Sequence, residues 1–244
     1  MNLENIKVVG QMVNASNSTL VVESDSDRFI YKPRSGERPL WDFPDNTLHI
    51  RERAAFVVSE LLGWDVVPAT IIAEGPYGIG SFQEWIDAEP ATVDIFAPGA
   101  VPEGWLTIIT GIDEEGNQVT LAHEDSPRLL QIAIFDAVVN NADRKAGHLL
   151  TKASGNTYGI DHGVTFNAED KLRTVLWGWI GEGIPETHLS DLKALKAKIP
   201  GSEIEELLDT SETAALLERI DYLLTEQVMP SPSPNWPAVP WPVF

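Results

Sequence analysis

Cysteine is absent from this chain of 244 residues. Its absence removes disulfides, thiolate nucleophiles and zinc–sulfur centres together, and it fits a reducing compartment. Basic residues are scarce: 17 Lys and Arg stand against 37 Asp and Glu, a formal net charge of −20. A chain of that sign repels nucleic acid and anionic lipid, so neither nucleic-acid binding nor stable membrane association is expected. Long hydrophobic runs are also missing. The start, MNLENIKVVG, has no basic head and no apolar stretch, and the most apolar helical pattern is interrupted by Asp136. Neither an export signal nor a membrane span is therefore expected, and the reading is a cytoplasmic protein. The length fits one large domain or two small lobes with ample chain for a core.

The first thirty residues alternate as strands do: IKVVG, TLVVES and RFIYK, with SDSD turning between the last two. The polar loop MVNASNS between the first two can present N–H groups to a phosphate or be an ordinary hairpin loop. From Asn46 or Thr47 a helix runs through LHIRERAAFVVSELLGW to Gly63, with Ile50, Ala54, Val57, Val58 and Leu61 turned inward. VVPATIIAE and GIGSFQEWI, joined by GPYG, then read as two further strands of one antiparallel sheet. Residues 88 to 123, rich in Pro and Gly, read as a linker or irregular insertion.

Ser126-Pro127 is a helix start, Ser as N-cap and Pro in the first helical position. The helix RLLQIAIFDAVVNN that follows is apolar nearly all round and delivers Asp143 to a loop at its end. Within that helix Asp136 either braces the loop or fills a polar gap. HLLTKASGNTYGID reads as a hairpin ending at Asp161, and the rest to Gln227 as mainly helical. The tail MPSPSPNWPAVPWPVF is Pro-rich. It is expected to be extended, with Trp236 and Trp241 favouring a strap docked on the protein's own surface over partner binding or disorder. The fold class is α+β in two lobes: residues 1–87 with an antiparallel sheet and one helix, 88–228 mainly helical, and 229–244 a tail.

Four ionisable residues stand at informative places in this plan: Lys32 on the third strand, Glu52 on the helix, Asp143 after the buried helix and Asp161 at the hairpin end. Phosphoryl transfer from a nucleotide needs a Lys on the phosphates, a carboxylate to orient it, metal ligands and an Asp beside the acceptor hydroxyl. The order resembles the protein-kinase-like superfamily, and more closely its phosphatidylinositol 3-/4-kinase-like and HipA-related branch. YKP resembles the motif carrying the nucleotide-binding Lys, hence Lys32, and Glu52 in RERAA its helix partner 20 residues on. NASNST is similar to the phosphate loop, which implies donors at Ser16 and Asn17. SFQEWI falls at the hinge, which implies adenine contacts by the backbone of Glu84, Trp85 and Ile86. Asp143 stands for the catalytic Asp, with Lys145 two residues later on the transferring phosphoryl. Asp161-His162-Gly163 resembles the metal-binding Asp-Phe-Gly, 18 residues beyond Asp143.

The resemblance implies ATP with Mg²⁺ or Mn²⁺ as cofactors, and an unidentified protein or small-molecule acceptor. His148 occupies the place of a metal-binding Asn. It either joins Asp161 as a ligand, which would suit Mn²⁺, or hydrogen-bonds to the phosphates. The stretch HGVTFNAEDKLRTVLWGW contains no Ala-Pro-Glu, so control by activation-loop phosphorylation is not expected. Lys171 and Arg173 are its only basic residues, too few for a phosphoinositide headgroup. Two alternatives stay open: transfer of AMP to an acceptor hydroxyl, and an ATP-binding sensor without turnover.

Overall fold

The computed structural model describes residues 1, 3–12, 17–25, 27–88 and 92–244. Strands β1 (Lys7–Gln11), β2 (Leu20–Ser24) and β3 (Asp27–Pro33) form a meander. Helix α1 (Leu48–Leu62) follows, then β4 (Thr70–Gly75) and β5 (Gly78–Glu84). All five strands join one antiparallel sheet in the order β1-β2-β3-β5-β4. Strand side chains alternate between faces. Leu20, Val22, Phe29, Tyr31 and Phe82 therefore pack together on one face, while Lys32, opposite Ser81 in the register, points to the other.

Helix α1 ends where Gly63 turns left-handed at φ 71°, a conformation that glycine adopts without a steric cost. Its inward side differs from the sequence expectation. Ala54, Val57 and Val58 are buried, but Ile50 and Leu61 are only partly so, and Arg51 and Glu52 lie inside instead. At its start Glu37 accepts hydrogen bonds from the N–H groups of Leu48 (3.1 Å) and His49 (2.8 Å). A carboxylate there meets the positive end of the helix dipole.

Residues 93–124 are not irregular, which corrects the sequence reading. They form a second antiparallel sheet of β6 (Val93–Phe96), β7 (Trp105–Ile112) and β8 (Gln118–Glu124), in the order β6-β8-β7. Most of β7 is exposed on both sides, so it has no apolar alternation to read. This sheet is pinned to later chain by His123, whose Nε2 accepts the Gly178 N–H at 3.1 Å, and by the Trp179 indole N–H donated to Asp125 at 3.1 Å.

Helix α2 (Pro127–Val139) begins as expected, the Ser126 hydroxyl accepting the Leu129 N–H at 3.2 Å. It is the spine of the larger core, where Leu129, Ile132, Ile134, Phe135, Val138 and Val139 are almost wholly buried. A short hairpin of β9 (Leu149–Thr151) and β10 (Thr157–Gly159) follows. Residues 164–185 are extended and turning rather than helical, after which α3 (Glu186–Lys198), α4 (Ile204–Leu207) and α5 (Thr210–Glu226) complete the chain's helices. The architecture is thus α+β, an antiparallel sheet with one helix followed by a largely helical portion. Among the described residues no helix is long and apolar enough to cross a membrane.

Candidate active site

Lys32 leaves the end of β3 toward α1 and pairs with two carboxylates. Its ammonium contacts Glu52 of α1 and lies 2.7 Å from Asp161 Oδ1. Glu52 is buried and also accepts the His162 N–H at 3.0 Å, so the helix, the strand and the turn after β10 meet at one point. Asp161 sits at φ 60°, in the left-handed region that Asp tolerates better than most residues. Its side chain keeps 49% of its surface open to the cleft.

Three successive residues of α1 divide the work of holding that helix. Arg51 is buried, contacts Glu212 of α5 and donates to the Thr165 carbonyl at 2.7 Å. Glu52 takes Lys32. Arg53 forks onto Glu203 at 2.9 and 2.7 Å and donates to the Thr70 carbonyl at 2.6 Å. Arg53's fork fixes orientation as well as distance, and with Arg51 anchored on the other side it holds the turn of α1 that carries Glu52.

The loop after α2 is braced from beneath. Asp136, wholly buried, accepts Arg144 Nε at 2.8 Å, Arg144 Nη2 at 2.9 Å and Asn141 Nδ2 at 3.0 Å. Asn141 Oδ1 in turn accepts the Asp143 N–H at 3.0 Å. Arg144 also donates to the carbonyls of Ile160 (2.7 Å) and His148 (3.2 Å) and to His162 Nε2 (2.7 Å). The loop carrying Asp143 and the turn carrying Asp161 therefore share one buried guanidinium. Asp143 itself faces Arg173 Nη2 at 3.3 Å and Lys145 Nζ at 3.5 Å.

Charge in the site follows from these contacts. Burial works to lower Lys32, but the carboxylates of Asp161 and Glu52 outweigh it and hold the ammonium above the usual lysine value. Burial works to raise Asp161, but the Lys32 ammonium holds it well below the carboxylate range. Asp143 is pushed up by burial, against the pull of Lys145 and Arg173. Burial brings His148 down to about 4, despite the nearby Asp161. Its neutral ring lies with Nε2 3.3 Å from Asp161 Oδ2, while Nδ1 accepts a long 3.4 Å bond from the Lys145 N–H.

No family model matches this chain. Protein Rv2133c of Mycobacterium tuberculosis is 43% identical to it over 257 residues, covering 98% of this chain and 92% of the relative. The chain belongs to the Rv2133c family. Among solved structures, the crystal structure of a Helicobacter pylori proinflammatory kinase CtkA aligns with a TM-score of 0.49 at 11% identity, over 92% of each chain.

For this member of the Rv2133c family, the structure brings together Lys32, Glu52, Asp161 and His148, with Asp143 and Lys145 across the same cleft. Asn17 lines two adjoining cavities there, its Oδ1 accepting the Arg38 N–H at 2.8 Å. Ser16 lies outside the described residues. Glu84, Trp85 and Ile86 do not line those two cavities. The Glu84 and Trp85 N–H groups already donate to Ala69 (2.9 Å) and Arg28 (3.1 Å), and Ile86 is buried. The sequence gives no site role to Asn141, Arg144 or Arg173, which act on Asp143 and the neighbouring loop, or to Arg51 and Arg53. The charged trio RER on a helix was the one signal available for the last two. The tail is docked through its backbone, the Ala238 carbonyl accepting the Thr174 N–H (3.1 Å) and the Trp177 indole N–H (2.7 Å) and the Val243 carbonyl accepting the Ala146 N–H (2.8 Å), but Trp241, expected to favour docking, is 83% exposed.

Proposed function

We propose that this chain is an ATP-dependent phosphotransferase of the phosphatidylinositol 3-/4-kinase-like, HipA-related kind, moving the γ-phosphoryl group to a hydroxyl. One observation carries the reading: an ammonium held between a buried Glu and a cleft-facing Asp, with a second Asp opening on the same cleft. Ordinary surface charges do not converge from a strand, a helix and two loops.

In this reading Lys32, oriented by Glu52, binds nucleotide phosphates. Asp143 accepts the proton of the acceptor hydroxyl, and Lys145 offsets charge on the phosphoryl group in transit. Positioning and fixed charge supply most of the acceleration in such transfers.

A divalent cation belongs to this chemistry, where it neutralises charge on the phosphates. Asp161 offers an oxygen and His148 Nε2 stands 3.3 Å from it, so the two fit neighbouring positions around one ion once the ring proton moves to Nδ1 and the long Lys145 N–H bond there opens. Among the described residues no group of three or more His, Asp or Glu side chains is arranged to hold a metal. Phosphate oxygens and water would have to complete the shell, as is usual for Mg²⁺. The mixed oxygen–nitrogen pair also suits Mn²⁺.

Incubation with ATP labelled on the γ- or the α-phosphate, with Mg²⁺ or Mn²⁺, and beside Asp161→Ala, tests the reading. The expected result is metal-dependent transfer or release of the γ-label, lost in the variant. Transfer of the α-label would instead mark adenylyl transfer. Thermal stabilisation by ATP with no product would mark a sensor and end the turnover reading.

A further inference from the structure

Two cavities meet at Asp161. The smaller, about 50 Å³, lies against Lys32 and Glu52; the larger, about 380 Å³, runs from Asp161 past Asp143 to Trp41 and Trp236. They share Asn17, Leu48, Asp161 and Gly163. If the first holds phosphates, the second is the space into which a phosphoryl group would be delivered. We infer that it is the acceptor site, and that its acceptor is a small hydroxylated molecule bearing an anionic group rather than a protein side chain. The inference rests on the phosphotransferase reading and deepens it.

The outer end of the larger cavity explains the preference for a small molecule. Lys171, buried and paired with Asp42 at 2.7 Å, lies 4.6 Å from the Trp41 ring centroid and 4.5 Å from that of Trp236. Cation–ring contacts at this range are attractive, the more so away from water. They join the loop before α1, the segment after Asp161 and the C-terminal tail into one wall. The tail is held beside Asp143's loop by its bonds to Ala146 and Thr174. An extended peptide bringing a Ser or Thr to Asp143 would need that surface. What remains free has the volume of a small-molecule pocket.

The lining indicates the chemistry. Trp41 is 85% exposed and offers an open ring face to a flat or CH-rich molecule. Arg38, exposed at the rim, has no side-chain ion pair among the described residues. Its guanidinium is suited to a carboxylate or phosphate. Asp143 then faces a hydroxyl of the same molecule. The acceptor oxygen bonds to the γ-phosphorus as the bond from that phosphorus to the β–γ bridging oxygen breaks. ADP departs with that oxygen, and the hydroxyl proton passes to Asp143.

The test divides a cell extract into its low-molecular-mass filtrate and its dialysed protein fraction, and offers each to the full chain with γ-labelled ATP. Glucose 6-phosphate, gluconate and glucose are run beside them as defined probes with and without an anionic group. Label is expected in anionic compounds of the filtrate. Arg38→Ala should reduce it about tenfold, the loss of one charge-assisted contact, with Arg38→Lys recovering part. Trp41→Ala should raise the KM for the filtrate acceptor more than it lowers kcat. Both side chains are exposed, so folding survives these changes. Label confined to proteins, or ATP hydrolysis with nothing labelled in either fraction, would overturn the inference while leaving phosphotransfer chemistry standing. Absence of γ-phosphate release under every condition would sink the phosphotransferase reading beneath it.

Discussion

Asp143 is set between opposing influences. Burial pushes its carboxyl up, while Lys145 at 3.5 Å and Arg173 at 3.3 Å pull it down. As a proton acceptor it works only when ionised, so the rate should rise with pH through a half-point above the ordinary carboxyl value. Arg173→Gln removes one of the two cations and should move that limb to higher pH; a limb that stays in place would separate Arg173 from the reacting group. Asp143→Asn should lower turnover by about 10²–10⁴, the usual range for a positioned general base. ATP-dependent thermal stabilisation should persist in that variant, because Lys32 and Asp161 are untouched.

At the scale of elements, α2 and the loop it delivers behave as one unit because Asp136 and Arg144 are both wholly buried and joined at 2.8 and 2.9 Å. Removing one member of such a pair strands the other in a medium that cannot solvate it. Asp136→Ala should therefore cost about 3–5 kcal/mol, read from the urea midpoint. Asp136→Ala with Arg144→Met should cost less than that variant alone, since no charge is left behind. A larger cost in the double variant would mean that Arg144's bonds to Ile160 and His148 outweigh its ion pair. The start of α2 was legible because Ser126 and Pro127 are neighbours in sequence, and so were the five-stranded sheet and the residues Lys32, Glu52 and Asp161, each marked by a local motif. The brace was legible only as a polar residue in an apolar helix, because its partner Arg144 reads as one more charge in a charged loop, and the turn that Arg144 also holds at Ile160 and His162 lies 16 and 18 residues beyond it. The second sheet was not legible, since β7 is mostly exposed on both faces and β8 buries four successive residues, so neither strand alternates. Trp236 showed only as an aromatic among prolines; its place on the cavity that Asp143 also lines depends on a chain reversal that no local pattern encodes.

For the molecule as a whole, acid is the revealing stress, because its effects on charge and on burial oppose each other. Acidification relieves the self-repulsion of a chain with net charge −20, and this favours the folded state. Buried imidazoles act the other way. His148 stays neutral in the fold down to about 4, but in the unfolded chain it takes up its proton near about 6.5. Between those values the unfolded state binds more protons, so this contribution is complete above the upper value and is lost as pH falls toward the lower one. His162, against Arg144, shifts in the same direction. Wild type and His148→Asn carry nearly the same surface charge, so the difference between their stability curves cancels the repulsion term and isolates the ring. Between neutral pH and about pH 5 the wild type should lose on the order of 2 kcal/mol more than the variant, from roughly 1.4 kcal/mol per pH unit. Parallel curves would mean that the ring already protonates inside the fold. In that case Nε2 would hold its proton against Asp161 throughout this range and would not be free to share a cation with it.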